Sequence, residues 1–270
     1  MPDRNAAFVG TIPQNYDRYL GPLFFHPYAD DLAARLVSKP DARVLEVACG
    51  TGLVTRRLLG RLGGSGSILA TDLNEAMIAY GRSQVPTAPG LQWRQADAVK
   101  LPVPDESFDA VVCQFGLMFF PDKAAAVREA FRVLRPGGTY LFNVWGALAD
   151  NPVPRITHET VGTFFPSDPP QFYTVPFSCH EPGPIQAWLV DAGFVDVAWT
   201  PLDKTGTSPS AADAAIGLIE GNPIGAAIAD RRADALPEIE RAVAARIAAE
   251  VGDHPVQAPL RAVVFSARRS

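Results

Sequence analysis

The first half of the chain alternates short apolar stretches with longer amphipathic ones. The short stretches have the length and the apolar content of buried strands, and they cover residues 43–47, 67–71, 91–95, 110–113 and 139–144. The longer stretches place apolar residues three and four positions apart, as helices do, and they cover residues 53–62, 75–84 and 122–134. Because strands alternate with helices, the pattern predicts parallel βαβ units and an α/β fold class.

The segments that flank these units have less regular patterns. Residues 11–38 predict a short helix, a break at the Gly21-Pro22 pair and a longer helix from about Pro27. Residues 146–184 are rich in proline, so we expect no long element there. The same segment carries several aromatic residues, namely Phe164, Phe165, Phe172, Tyr173 and Phe177. Because it leaves a strand at its carboxyl end, we expect it to join the later helical insertion in a mobile cover over a largely apolar pocket.

The last third of the chain predicts a helix and strand, a helical insertion and a final strand. In chain order, the helices cover residues 184–192, 209–220 and 237–251, and the strands cover residues 194–199 and 260–267. The third helix has one apolar stripe, which consists of Leu236, Ile239, Val243 and Ile247. A stripe of this spacing favours a packing face over a partner site.

The spacing of these elements favours a single domain over residues 1–270, which is long enough to bury a sizeable core. Its expected parts are N-terminal helices over 11–38, a core over 41–145 and 185–204, an insertion over 146–184, a helical insertion over 205–258, and the last strand over 259–268.

Charge and cysteine content limit the class of partner. The formal net charge is -5, which argues against nucleic acid and favours a small-molecule acceptor. No stretch has the length of a membrane span, so we expect no stable membrane insertion. The three cysteines lack CxxC spacing, which predicts reduced thiols and no metal site. Without an apolar leader at the N-terminus, we expect a cytoplasmic protein, either a monomer or a homodimer.

The chain passes from strand to helix through the sequence EVACGTG at residues 46–52. Gly50 and Gly52 permit positive φ and let a ligand approach the main chain. A dinucleotide would place its pyrophosphate at the helix N-terminus, where Glu46 would repel it, and Thr55 replaces the third small residue of G-x-G-x-x-G. A cationic ligand without phosphate fits better. The alternatives are an NAD(P)-dependent dehydrogenase and a turn that only packs a helix on the sheet.

This stretch resembles motif I of the class I S-adenosylmethionine-dependent methyltransferases, E-x-A-C-G-T-G, in their type 11 and ubiquinone/menaquinone methyltransferase-like members. Residues 101–122 and the L-x-P-G-G pattern at 134–138 resemble the same family. The resemblance extends from Tyr16 to Arg268 and is loose in the insertions. It implies a Rossmann-like, doubly wound sheet of seven strands in the order 3-2-1-4-5-7-6, with the last strand antiparallel and with helical cap insertions. It also implies S-adenosyl-L-methionine as cofactor and S-adenosyl-L-homocysteine as product.

Carboxylates follow the second and third strands. Asp72 lies where parallel strands end, so its carboxylate can accept hydrogen bonds from both ribose hydroxyls. Its competing role is that of a helix cap, which Asn74 is expected to fill instead. In the family, an acid at the place of Asp97 accepts from the adenine amino group, and a tyrosine at the place of Tyr16 covers the methionine end. The candidate cofactor-binding residues are Tyr16, Glu46, Ala48, Gly50, Thr51, Gly52, Asp72, Leu73, Met77, Ala96, Asp97, Ala98, Gln114, Phe115 and Gly116.

The reaction that the resemblance implies is an SN2 transfer of a methyl group from a sulfonium to a nucleophile. The residues do not identify a catalytic base, and the choice stays open among His158, His180, His254, Tyr16 and none. Phe119 is a weaker candidate for the wall of the pocket. We expect the acceptor to be small and largely apolar or aromatic. A cofactor-binding protein without turnover would have the same motif.

Overall fold

The computed structural model describes residues 4–36 and 39–270. Its centre is a seven-stranded sheet of order β3-β2-β1-β4-β5-β7-β6. The strands are β1 Arg43–Val47, β2 Ser67–Asp72, β3 Leu91–Gln95, β4 Phe108–Gln114, β5 Leu134–Trp145, β6 Phe194–Ser208 and β7 Val256–Arg269. The first five pair in parallel, and β7 runs antiparallel to β5. The strand order and the fold class expected from the sequence are therefore confirmed.

The helices surround this sheet in chain order. They are α1 Ile12–Asn15, a π-helix Tyr16–Phe25, α2 His26–Arg35, α3 Leu53–Leu62, α4 Glu75–Gln84, α5 Lys123–Val133, α6 Pro152–Phe164, α7 Pro182–Asp191, α8 Ala211–Glu220, α9 Ile224–Arg232 and α10 Leu236–Glu250. Single 3-10 turns occur at Arg4–Ala6, Leu117–Phe119, Leu148–Asp150, Phe172–Thr174 and Ala233–Ala235. Among residues 4–36 and 39–270, none of the helices combines the length and the hydrophobicity that crossing a membrane requires.

The expected break at Gly21-Pro22 is wrong, because the chain stays helical from Ile12 to Arg35. The pair lies inside the π-helix, whose wider turn relieves the contact between a proline ring and the carbonyl group four residues earlier. At Gly21, an added Cβ would lie 2.9 Å from His26 Nε2, so the small residue is required by packing. Residues 37 and 38, where the predicted segment ends, lie outside the described residues.

The expectation of no long element in residues 146–184 is also wrong, because α6 contains 13 residues. Two of the prolines lie in its first turn, where an N–H group would have no partner within the helix. The helix buries the side chains of Val153, Ile156 and Val161. Proline count therefore underestimated the helix because the position of each proline matters more than the number.

Contacts between Cα atoms divide the chain into two compact units. The first contains the described residues up to Pro27, Ala147–Ser178 and Asp203–Arg261. The second contains the described residues of Tyr28–Gly146, Cys179–Leu202 and Ala262–Ser270. The N-terminal helices and most of both insertions thus pack as one unit. The single-domain organisation stays a prediction.

Within the first unit, α10 packs against α8 and α6. Ile239, Val243 and Ile247 of its apolar stripe are fully buried, as expected of a packing face. The helix α9 was not predicted, because it buries only Ile224 and Ile228 and has little apolar periodicity.

The aromatic residues of the proline-rich segment also pack in the first unit. Phe172, Tyr173 and Phe177 are buried, and Tyr173 donates its hydroxyl hydrogen to the carbonyl oxygen of Leu218 at 2.6 Å. Apolar surface for these rings is therefore available within the unit itself. The mobile cover stays a prediction.

Candidate active site

The glycine turn after β1 is tied to the end of β2. The main-chain N–H of Cys49 donates to the carbonyl oxygen of Thr71 at 2.9 Å, and that of Gly52 donates to Cys49 at 2.9 Å. Ala48, Gly50 and Gly52 all have positive φ, at 55°, 55° and 81°. The turn is therefore a compact left-handed path that exposes main-chain atoms at the carboxyl edge of the sheet.

Asp72 holds this turn directly. Its Oδ2 accepts the main-chain N–H of Gly50 at 2.9 Å, and its Oδ1 accepts that of Asn74 at 2.8 Å. The Asn74 side chain makes no capping hydrogen bond to α4, so the expectation that Asn74 relieves Asp72 of a structural role is wrong. Burial raises the pKa of Asp72, and the N–H groups of Asn74 and Gly50 act in the opposite direction. Each carboxylate oxygen still has a second lone pair for a ligand.

The two glycines of the turn lack Cβ atoms for different reasons. At Gly50, no atom lies within 4 Å of an added Cβ, so the space beside this main chain is open to a ligand. At Gly52, an added Cβ would lie 2.7 Å from Trp93 Cη2 and 2.8 Å from Val85 Cγ2. Packing against β3 and the end of α4 therefore requires glycine at 52, whereas only Gly50 leaves room for ligand approach.

Glu46 lies beneath the turn and is 2% exposed. Its Oε2 accepts the hydroxyl hydrogen of Thr55 at 2.6 Å. This bond gives the residue that departs from G-x-G-x-x-G a partner of its own. Burial raises the pKa of Glu46 from 4.5 to about 8, although the Thr55 hydrogen bonds lower it and the Asp72 charge raises it further. Glu46 is therefore mostly protonated at neutral pH until a cation approaches it.

The ends of β2 and β3 form an apolar and acidic ledge. Leu73 is 49% exposed, unusually high for a leucine, while Met77 is buried. The main-chain N–H of Ala96 donates to the Asp72 carbonyl oxygen at 2.9 Å, which joins the two strand ends. Asp97 is exposed, and its Oδ1 accepts the N–H of Val99 at 3.0 Å. Four of the predicted residues are thus neighbours along this edge.

The end of β4 approaches the glycine turn closely. An added Cβ at Gly116 would lie 2.6 Å from Ala48 Cβ, so only glycine fits there. Phe115 has a φ of 50°, and its N–H donates to Asn143 Oδ1 at 3.0 Å. The Phe115 ring stacks on Trp145 at a centroid distance of 3.8 Å, and the Tyr28 ring packs edge-on against both.

Sequence reasoning missed Tyr28, Asn143 and Trp145. The available signal for Asn143 was a single amide within the apolar run of β5. Asn143 is 0% exposed, and its Nδ2 has no hydrogen-bond partner. Gln114 Oε1 is likewise buried without a partner. A buried polar atom without a partner is costly, so both atoms mark a place where a ligand can bind.

The remaining candidates are not brought to this edge by any contact of the second unit. Tyr16 lies in the first unit, where it stacks on Phe25 at a centroid distance of 4.5 Å. His158 lies on α6, also in the first unit. His254 lies 3.5 Å from Asp253, between Nε2 and Oδ2, and His180 is exposed. The choice of a base stays open, and so does the lid role of Tyr16.

The residues of the second unit fit an S-adenosyl group. Asp72 has free lone pairs for ribose hydroxyls, Leu73 offers an apolar wall, and the main chain at Gly50 is open. The unpaired amide atoms of Gln114 and Asn143 lie beyond the turn, on the next two strands of the sheet. No phosphate-binding group is needed for such a ligand.

Comparisons with known proteins agree with this site. The model of a methyltransferase domain family matches residues 45–142. The chain is 33% identical over 175 residues to the ubiquinone/menaquinone biosynthesis C-methyltransferase of Ectopseudomonas mendocina (strain ymp), which covers 60% of this chain and 68% of that protein. It is 33% identical over 131 residues to the demethylmenaquinone methyltransferase of Lysinibacillus sphaericus (strain C3-41), covering 47% and 56% respectively.

Solved structures show the same fold. The phosphoethanolamine N-methyltransferase 2 of Haemonchus contortus, in complex with phosphomonomethylethanolamine and S-adenosylhomocysteine, superposes with a TM-score of 0.61 at 16% identity over 95% of this chain and 56% of that chain. A nicotinamide-dependent dehydrogenase is left without support. The protein is an S-adenosylmethionine-dependent methyltransferase, and the chain belongs to the class I family that includes the ubiquinone/menaquinone C-methyltransferases.

Proposed function

We propose that this methyltransferase acts on a small, largely apolar or aromatic molecule, with a quinone-type ring as the leading class. The observation that carries the proposal is the sequence shared with proteins named as methyltransferases of ubiquinone and menaquinone biosynthesis. The aromatic cluster of Tyr28, Phe115 and Trp145 at the ends of β4 and β5 supports it, since aromatic rings bind well beside other rings.

The site residues divide the work of binding and orientation. The cofactor, when bound, supplies an electrophilic methyl group. Asp72 accepts from its ribose hydroxyls, Leu73 covers its adenine, and Asp97 accepts from the adenine amino group. The open main chain at Gly50 lies along its length. Because the methyl group is already activated, the protein mainly has to hold the acceptor in line with it and exclude water.

The test is a methyl-transfer assay on purified protein with acceptors that represent ring carbons, phenols, amines and thiols. We expect a ring-methylated hydroquinone, identified by its mass and fragmentation, together with S-adenosylhomocysteine. Transfer to amines or thiols alone would overturn the acceptor class. Tight S-adenosylhomocysteine binding with no product from any acceptor would favour the alternative of a cofactor-binding protein without turnover.

A further inference from the structure

We propose that Gln114 and Asn143 form a polar pair that selects a methyl acceptor carrying a hydroxyl group, rather than a carbonyl or an ether at the same place. The inference rests on the proposed function, which it makes more specific. It starts from two buried amide atoms, one acceptor and one donor, that have no hydrogen-bond partner.

The strand register places the two side chains side by side. Gln114 on β4 is the Cα partner of Asn143 on β5. Side chains at paired positions of neighbouring strands project from the same face of a sheet. Both residues also lie at the carboxyl ends of their strands, where ligands of open α/β sheets bind.

The same register puts the pair on the face of the sheet that carries the acids. Glu46 pairs with Ala70 on one side and with Val112 on the other. Asp72 and Gln114 each lie two residues further along their strands, so their side chains share a face with Glu46. Neighbouring strands are about 4.8 Å apart, which places the Gln114 strand about 10 Å from the Asp72 strand.

This order matches the length of the cofactor. With adenine at Asp97 on the β3 side and ribose at Asp72 on β2, the methionine end extends toward β1 and β4. The Gln114–Asn143 pair lies further in that direction, on β4 and β5. It therefore faces the place of the acceptor rather than that of the adenosine.

The orientation of the Asn143 amide follows from its neighbour. Because the main-chain N–H of Phe115 donates to Asn143 Oδ1 at 3.0 Å, the other terminal atom has to be the NH2 group. That group can only donate, whereas Gln114 Oε1 can only accept. A hydroxyl satisfies both, since it accepts from Asn143 and donates to Gln114. A quinone carbonyl or an ether accepts but cannot donate, and so leaves Gln114 Oε1 unpaired.

The binding test uses a naphthol and its methyl ether, which differ only in the ability to donate. With S-adenosylhomocysteine present, we expect the naphthol to bind the native protein about ten- to hundredfold more tightly, by calorimetry. Gln114→Met, which keeps the side-chain length and removes the acceptor, should abolish this difference. Gln114→Glu keeps Oε1 and is the matched control that retains the preference.

Asn143→Asp tests the other half of the pair. It keeps the Oδ1 that holds Phe115 and replaces the donor with an oxygen, so it should weaken both naphthol and ether. If this variant does not fold, Gln114→Met decides alone. A naphthol preference that survives in Gln114→Met overturns the inference. So does a loss of S-adenosylhomocysteine affinity as large as that of the naphthol, because the pair would then serve the cofactor.

The methyl-transfer assay separates this inference from the function itself. If the native protein methylates hydroquinones and the variants keep the preference, only the role of the pair is wrong. If the native protein methylates acceptors of another class alone, the proposed function is wrong.

Discussion

Asp72 Oδ2 accepts the main-chain N–H of Gly50 at 2.9 Å, so the carboxylate at the end of β2 holds in place the turn at the end of β1. The same carboxylate is the candidate for the ribose hydroxyls. Stability and cofactor affinity therefore depend on one side chain, and a substitution there changes both.

We expect the native protein to bind S-adenosylhomocysteine with a free energy of about 7–9 kcal/mol, which is low micromolar or tighter. Asp72→Ala should weaken that binding by about 1.5–3 kcal/mol, because hydrogen bonds to a charged acceptor are lost. It should also lower the free energy of unfolding by about 1–3 kcal/mol, because two buried N–H groups lose their acceptor. Calorimetry and urea denaturation measure the two effects.

Asp97→Ala is the matched control for stability, since Asp97 is exposed and should change the free energy of unfolding by less than about 0.5 kcal/mol. An Asp72→Ala protein that binds S-adenosylhomocysteine as well as the parent does would show that Asp72 has a structural role only.

Glu46 should make the protein less stable as pH rises. Burial raises its pKa to about 8, above the ordinary 4.5, so the folded state holds a proton that the unfolded state loses. Its contribution to stability is complete below pH 4.5 and is lost as pH rises through 8. In that window, the free energy of unfolding should fall by about 1.4 kcal/mol per pH unit.

Glu46→Gln keeps the side-chain shape and cannot ionise, so it isolates this effect from the raised pKa of Asp72. Urea denaturation of both proteins between pH 5 and 9 gives the comparison. Parallel stability profiles would mean that Glu46 is ionised in the folded protein.

Alanine at the two glycines of the turn should have different effects. Gly52→Ala should destabilise the fold by about 1–3 kcal/mol, because its Cβ would meet Trp93 at 2.7 Å. Gly50→Ala adds a Cβ into open space, so it should cost only about 1 kcal/mol of stability for its positive φ.

Gly50→Ala should instead weaken S-adenosylhomocysteine binding, because its Cβ would occupy the space that the ligand needs. Thermal unfolding and calorimetry on both variants test this division. If both variants lose stability alone, the turn only packs a helix on the sheet.

The expected cover over the pocket is tested by hydrogen exchange of residues 146–184 with and without S-adenosylhomocysteine. If the cover closes over the ligand, the half-exposed stretch 165–171 should become more protected. The helix α6 is the internal reference, since its buried face should protect it in both states. Strong and equal protection of the whole segment would show static packing.

The sequence was sufficient to predict β1, α3 and the turn between them. Apolar alternation and two adjacent glycines are local signals, and each acts within a few residues of the structure that it specifies. The strand order also followed from the sequence, but through the family resemblance rather than through periodicity. Asp72 and Gly50 could be placed near each other because parallel strand ends meet at one edge of the sheet.

Tertiary structure alone decided the hydrogen-bond partners and the packing around these residues. The bond of Phe115 to Asn143, the contact of Gly52 with Trp93 and the bonds of Asp72 to main-chain N–H groups join residues distant in sequence. Such contacts depend on strand register and on the volume left by neighbouring side chains, which no local pattern encodes. The continuous helix through Gly21-Pro22 has the same cause, since proline breaks a helix only where the turn geometry leaves no room for its ring.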